Sequence, residues 1–182
     1  EVFPPKREAP VETVYKTLDQ LQDLHPDFIS VTYGAGGKGA ENTTLSIASL
    51  IKSRYRIEPL MHLTCLYNSA GDVLHILKEL EAEEIDNVMA LRGDVNPEIA
   101  PLHDFHYASE LAFFIRERSG VGISGACYPE GHIECDDTVR DVLNLRRKVD
   151  AGCSHLVSQL FFDNDLFYAF RERAAIAGIN VP

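Results

Sequence analysis

Short apolar runs that do not alternate with polar residues recur along this chain, and each ends in a cluster of polar residues or glycine before a helical pattern begins. Val88, Met89 and Ala90 lead into Leu91, Arg92, Gly93 and Asp94; the same construction gives Ser30 to Gly34 after Phe28, His62 to Cys65 after Leu60, Tyr128 to Glu130 after Ala126, and Gln159 to Asp163 after Val157. Runs of this kind are strands buried on both faces, which predicts a parallel sheet. Their spacing is close to the roughly 30 residues of a βαβ unit. In parallel α/β proteins the carboxyl ends of the strands gather at one face, so these polar junctions predict a single shared site.

The helical patterns fill the gaps. Val11, Val14, Leu18 and Leu21 step by three and four between Pro10 and Pro26; strands are expected at Phe28 to Tyr33 and Leu60 to Cys65, with a helix from about Asn42 to Tyr55 between them. Ser69 and Asp72 have capping-box spacing and open a helix that buries Val73, Leu77 and Leu80. After a strand at Val88 to Leu91, Ala108, Leu111, Ala112 and Ile115 mark a helix closed by Gly120 as a left-handed cap. A strand from Gly122 to Tyr128 precedes a helix carrying Val139, Val142, Leu143 and Val149 and closed by Gly152. The last pair is a strand at about His155 to Phe162 and a helix with Leu166, Phe167, Phe170 and Ala174 before Gly178.

Strand then helix, repeated, fits either an open doubly wound sheet or a closed (β/α)8 barrel. The segment Gly34 to Gly39 lacks both the Gly-x-Gly-x-x-Gly spacing and a Gly-Lys-Ser/Thr ending, and reads as a loop. Polar residues closing every strand favour the barrel. Six strand-helix units are counted, the chain starting inside the first strand and stopping where a seventh would begin, so residues 1–182 are expected to be one partial barrel domain.

With 17 basic and 28 acidic residues and a net charge of −11, no cationic cluster suits nucleic acid. No apolar stretch approaches the roughly 20 residues of a membrane span, and a cytoplasmic protein is expected. Cys65, Cys127, Cys135 and Cys153 form no Cys-x-x-Cys pair and read as reduced thiols.

The segments EVFPPK (Glu1 to Lys6), SVTYGA (Ser30 to Ala35), HLTC (His62 to Cys65), LRGD (Leu91 to Asp94), YPEGH (Tyr128 to His132), LNLRRKVDAG (Leu143 to Gly152) and QLFFD (Gln159 to Asp163) together resemble the methylenetetrahydrofolate reductase family. The resemblance implies a (β/α)8 barrel that uses FAD to reduce 5,10-methylenetetrahydrofolate to 5-methyltetrahydrofolate, with NADH or NADPH as electron donor, in a homo-oligomer serving methionine supply. It makes Glu1 the acid of folate reduction, Asp94 a carboxylate between flavin and pterin, and Gln159 a contact to pterin and nicotinamide, with Thr32 also on the substrate. Contacts to FAD would come from Thr32, Tyr33, Ala35 and His62 on the early strands and from Arg92, Gly93 and Asp94 on the fourth. Further contacts would come from Tyr107, Ala108, Tyr128 and His132, and from Asp141, Asn144, Arg147 and Lys148 on the fifth helix.

The residue types suit these roles. Val2, Phe3, Pro4 and Pro5 predict an apolar surround for Glu1, which favours an acid able to donate a proton. A carboxylate at Asp94 disfavours negative charge on the reduced flavin and favours a cationic substrate. Asp141, Asn144 and Lys148 lie at i, i+3 and i+7, a single helical stripe with Arg147 at its margin, matched to ribose hydroxyls and a diphosphate. One alternative is a metal-dependent hydrolase of the same fold, drawing ligands from His62 and Cys65, His132 and Cys135, or His103 and His106. Another is a partner subunit that has lost its chemistry.

Overall fold

The computed structural model describes residues 1–5, 12–33 and 40–182. Ala35, Val11 and the glycine-rich segment Gly34 to Gly39 lie outside them. Helix α1 (Glu12–Leu21) ends in a single 3₁₀ turn and precedes strand β1 (Phe28–Val31); α2 (Ala40–Leu50) runs on into a π-helical turn, Ile51–Tyr55, before β2 (Glu58–Thr64). The series continues with α3 (Ala70–Ala82), β3 (Asn87–Leu91), α4 (Ala108–Arg116), β4 (Gly122–Cys127), α5 (Thr138–Ala151), β5 (His155–Ser158) and α6 (Asn164–Ile176).

All four strand pairings are parallel, and the order in the sheet is β1-β2-β3-β4-β5. A sheet whose spatial order follows chain order has no reversal point, which is the winding of a barrel and not of a doubly wound sheet. The architecture is a curled arc of a (β/α)8 barrel. Val2 extends the arc before β1 through a parallel bridge to Val31, its N–H bonded to Ser30 and its carbonyl to Thr32. At the other edge the Leu156 N–H donates to the Pro182 carbonyl at 2.8 Å, so residue 182 lies beside β5.

The central strands β2 and β3 are buried along their length on both faces, as their unbroken apolar sequences require. In contrast, β1 and β4 alternate in exposure and β5 is buried at no position. The expectation of uniform double-sided burial therefore holds for β2 and β3 alone; β4, though paired with β3 and β5, alternates. One core cluster joins Leu18, Ile51, Met61, Leu63, Leu80, Val88, Leu111 and Ile115 between the sheet and helices α1 to α4. A smaller one, with Cys127, Val142, Leu145 and Phe170, seats α5 and α6.

Local chemistry explains the boundaries. Ser69 accepts the Asp72 N–H and Asp72 accepts the Ser69 N–H, so α3 opens on the anticipated capping box. Asp137 and Asp163 cap α5 and α6 without a reciprocal partner, each carboxylate taking two backbone N–H groups. Gly152, at φ 131°, closes α5 as expected. Gly120 does not close α4: the helix ends at Arg116 with Glu117 in right-handed geometry, and Ile115 O accepts from Arg118 N, Ser119 N and Ser119 Oγ. Gly120 does not take the left-handed conformation that such a cap requires. Val139 and Leu143, read as core positions of α5, are 61% and 52% exposed. Val142 is buried and Val149 packs against the same cluster, as read, and Leu145 takes the remaining core position. Among the described residues, no helix is long and apolar enough to cross a membrane.

Candidate functional site

The carboxyl ends of the five strands open into a cleft of about 2120 Å³. Its wall takes Thr32 and Tyr33 from the end of β1, His62 and Thr64 from β2, Arg92, Gly93 and Asp94 after β3, Tyr128 after β4 and Gln159 after β5. Glu1 reaches it from beside β1; Tyr107 and Ala108 reach it at the start of α4; Asp141, Asn144, Arg147 and Lys148 reach it along α5; His132 reaches it from the β4–α5 loop. Every residue that the family resemblance assigns to the site lines this cleft except Ala35, which lies outside the described residues.

The floor is tightly held. Gly93 sits at φ 87°, and a Cβ there would come within 3.1 Å of Thr64 Cβ, so the turn after β3 requires glycine. His62 is buried, and its Nε2 has no hydrogen-bond partner; a Glu1 carboxylate oxygen is 3.6 Å away. Burial lowers the pKa of His62, against an upward pull from Glu1, which makes the neutral imidazole the resting form. With a neutral ring, a contact at that separation is neither a hydrogen bond nor an ion pair. The Glu1 side chain is 47% exposed and Phe3 is 66% exposed; of the apolar residues expected around Glu1, Val2 is buried and Pro4 and Pro5 are half-buried.

Lys148 donates to Ala126 O at 2.8 Å and lies 5.8 Å from the Tyr128 ring centre; burial lowers its pKa. Tyr128 packs edge-on against His132 at 4.7 Å, and burial raises its phenol pKa. The Asp141 carboxylate accepts the His132 N–H at 3.2 Å, and Arg147 donates to Asn144 at 3.0 Å. Gln159 is fixed through its backbone, its N–H donating to Cys127 O at 2.8 Å, while its side chain is exposed. The result is a cleft with cationic and amide donors along α5 and carboxylates near β1 and β3.

Several cleft residues escaped the sequence reading. Asn68, buried before α3, donates to Thr64 O at 2.8 Å and to the Tyr33 hydroxyl at 3.2 Å. Tyr67 accepts the Asn96 N–H at 2.6 Å and so ties down the loop after Asp94. Glu134 takes both terminal nitrogens of Arg92 at 2.6 Å each. The signal for Asn68 and Tyr67 was their place just after a strand end; Glu134 had no such signal.

The metal-site alternative finds no geometry among the described residues, where no three His, Cys, Asp or Glu side chains come together to hold an ion. Burial pushes the Cys65 thiol up to about 12, so it is not a ready thiolate ligand. The His103 and His106 rings are 6.5 Å apart.

The model of the family described as methylenetetrahydrofolate reductase matches residues 1–182. The chain belongs to that family. It is 39% identical over 181 residues to the 5,10-methylenetetrahydrofolate reductase of Escherichia coli (strain K12), covering all of this chain and 60% of the relative. It is 38% identical over 203 residues to the methylenetetrahydrofolate reductase (NADH) 1 of Arabidopsis thaliana, covering all of this chain and 33% of that protein. The chain thus spans three fifths of the bacterial reductase's length. Among solved structures, an uncharacterized Clostridium thermocellum protein described as binding two copies of 5-methyl-5,6,7,8-tetrahydrofolic acid superposes with a TM-score of 0.67 at 11% identity, over 97% of this chain and 58% of its own. A 2,3-dimethylmalate lyase of the PEP mutase/isocitrate lyase superfamily gives 0.65 at 10% identity, over 87% and 59%. At such identities these neighbours speak to the fold alone, and both agree with the arc of strands seen here.

Proposed function

We propose that this methylenetetrahydrofolate reductase family chain carries the catalytic face of an FAD-dependent enzyme that reduces 5,10-methylenetetrahydrofolate to 5-methyltetrahydrofolate with electrons from NADH or NADPH. The observation that carries the reading is that Glu1, Asp94 and Gln159, drawn from the two edges and the middle of the sheet, line one cleft. The donor set suits a dinucleotide: an unpartnered buried imidazole nitrogen, a bare glycine Cα at Gly93, and Arg147 with Lys148 on one helix.

When bound, FAD supplies the two-electron chemistry that no side chain here can perform. The chain's residues supply binding, charge and protons. Lys148 uses one N–H on Ala126 O and keeps two for phosphate oxygens, and burial, which lowers its pKa, supports a role in meeting an anion. Thr32, Tyr33 and His62 provide neutral donors on the early strands. Glu1 donates the proton that opens the substrate's methylene bridge, and Asp94 favours the positive charge that develops on the folate as it opens. Gln159 orients the pterin with its amide while its backbone is held to β4.

The test is spectroscopic. Purified full-length protein is expected to show flavin absorbance that bleaches anaerobically with NADH or NADPH and returns on adding 5,10-methylenetetrahydrofolate. A protein that stays colourless after incubation with FAD would falsify the reading.

A further inference from the structure

The carboxylate nearest to Arg92 in sequence is Asp94, two residues on, yet Arg92 does not pair with it. The guanidinium meets Glu134, forty-two residues away, fork to fork: Nη1 to Oε2 and Nη2 to Oε1, both at 2.6 Å, with Nε turned to Gly93 O at 3.3 Å. That contact raises the pKa of Arg92 and lowers that of Glu134. Asp94, exposed on the same cleft wall, makes no hydrogen bond or ion pair in contact with any described residue, although Arg92 still feels its charge at longer range.

Glu134 is presented by a braced loop. Its N–H donates to His132 Nδ1 at 3.1 Å, the His132 N–H donates to Asp141 at 3.2 Å, and the loop ends at Asp137, which caps α5. Gly131, at φ 91° and with open space where a Cβ would be, turns the chain toward Arg92. A bidentate carboxylate satisfies a guanidinium better than a lone contact, so the long Arg92 side chain is committed to that side of the cleft.

We infer that Glu134 is a positioning residue that holds the Arg92 guanidinium out of contact with Asp94 and so leaves the Asp94 carboxylate without a contacting cation where the ligand binds. Opposite charges in contact cancel most of each other's field at a third group. An Arg92–Asp94 pair would therefore remove the electrostatic influence that the reductase reading, on which this inference rests, assigns to Asp94. The sequence motif Arg-Gly-Asp carries its own neutralising cation; Glu134 diverts it.

Two measurements test this, one of them independent of flavin. A crystal structure of the cofactor-free Glu134→Ala protein is expected to show the Arg92 guanidinium within about 4 Å of the Asp94 carboxylate. A guanidinium that keeps its wild-type place or turns to solvent overturns the inference, whatever the fate of the cofactor. In FAD-loaded full-length protein, the midpoint potential of the bound flavin is expected to rise in Glu134→Ala, in the direction that Asp94→Asn moves it. Glu134→Ala added to Asp94→Asn should then produce no further rise. An equal rise in both backgrounds means that Glu134 acts through its own charge and overturns the inference, as does an unchanged potential in the single variant. Failure of every protein to take up flavin sinks the reductase reading instead, and the crystal structure still decides the question of Arg92.

Discussion

At the amino ends of the strands, Lys52 lies 2.8 Å from Glu58 and 2.9 Å from Asp86, and Asn87 donates to the other Glu58 oxygen at 3.0 Å. At the carboxyl ends of the same strands, His62 Nε2 is buried without a partner, Asp94 has neither hydrogen bond nor ion pair among the described residues, and Gly93 holds a left-handed turn against Thr64. Both ends are polar. One end uses its polar groups on each other, which tightens the fold; the other leaves them open, which costs stability and is worthwhile only where a ligand completes the set. The open end is not bare of internal contacts: Asn68 bonds Thr64 O and Tyr33, Lys148 bonds Ala126 O, and Arg92 and Glu134 form a clasp that leaves Asp94 without a contacting cation.

If this contrast is correct, the largest effects on chemistry should come from the open end. Asp94→Asn is expected to leave the protein yellow and to slow reoxidation of the flavin by folate by about 10²- to 10³-fold, the scale of one lost electrostatic contact in an active site. Reduction by the nicotinamide should change far less, and stopped-flow absorbance of each half-reaction measures the difference. Equal slowing of both halves would break the assignment of Asp94 to the substrate side. Gly93→Ala comes next. Its Cβ would press on Thr64 Cβ at 3.1 Å in a backbone region that L-residues avoid, with an expected stability loss of about 1 to 3 kcal/mol, read from the denaturant midpoint, together with weaker flavin retention.

Much of the open end was legible in the sequence because strand ends leave a local mark. An unbroken apolar run cannot continue through Arg92-Gly93-Asp94, and the spacing of Asp141, Asn144 and Lys148 is enough, through the helical period alone, to place them on one side of a helix. The spacing alone fitted a doubly wound sheet as well as a barrel, and it was the polar residues closing each strand that favoured the barrel order. What escaped were pairings set by the fold. Glu134 and Arg92 are joined across a loop whose path the sequence does not encode in any short pattern, and Asp94 was the nearer partner. Val139 and Leu143 look like core residues because they are apolar, but α5 turns them toward the cleft, which lies open above its first turns. Gly120 looked like a helix cap because glycine often is one; here the helix had already closed on Ser119.

The closed end should respond in stability and not in chemistry. Lys52→Met removes both contacts of a half-buried ammonium and leaves Glu58 and Asp86 facing each other's charge. A loss of about 1 kcal/mol is expected, since both partners retain solvent, with kcat unchanged. A larger effect on turnover than on melting temperature would break the division between the two ends.

The smallest effect expected is a change in pH dependence, and its sign follows from burial. The His62 pKa is lowered in the fold chiefly because burial disfavours the imidazolium, with Glu1 opposing. The unfolded chain therefore binds a proton near the ordinary histidine value of about 6.5 at pH values where the folded chain does not. The contribution of His62 to stability is complete above that value and is lost as pH falls through the lower folded value. His62→Gln abolishes this titration while keeping a polar group in the cleft. The melting temperature of the variant should fall less steeply than that of the parent between about pH 7 and pH 5, the carboxylates common to both proteins cancelling in the difference. A parent curve that is the flatter of the two would mean that Glu1, and not burial, governs His62. The unpartnered nitrogen would then belong to an ion pair, and the contrast between the two ends of the strands would narrow at its clearest point.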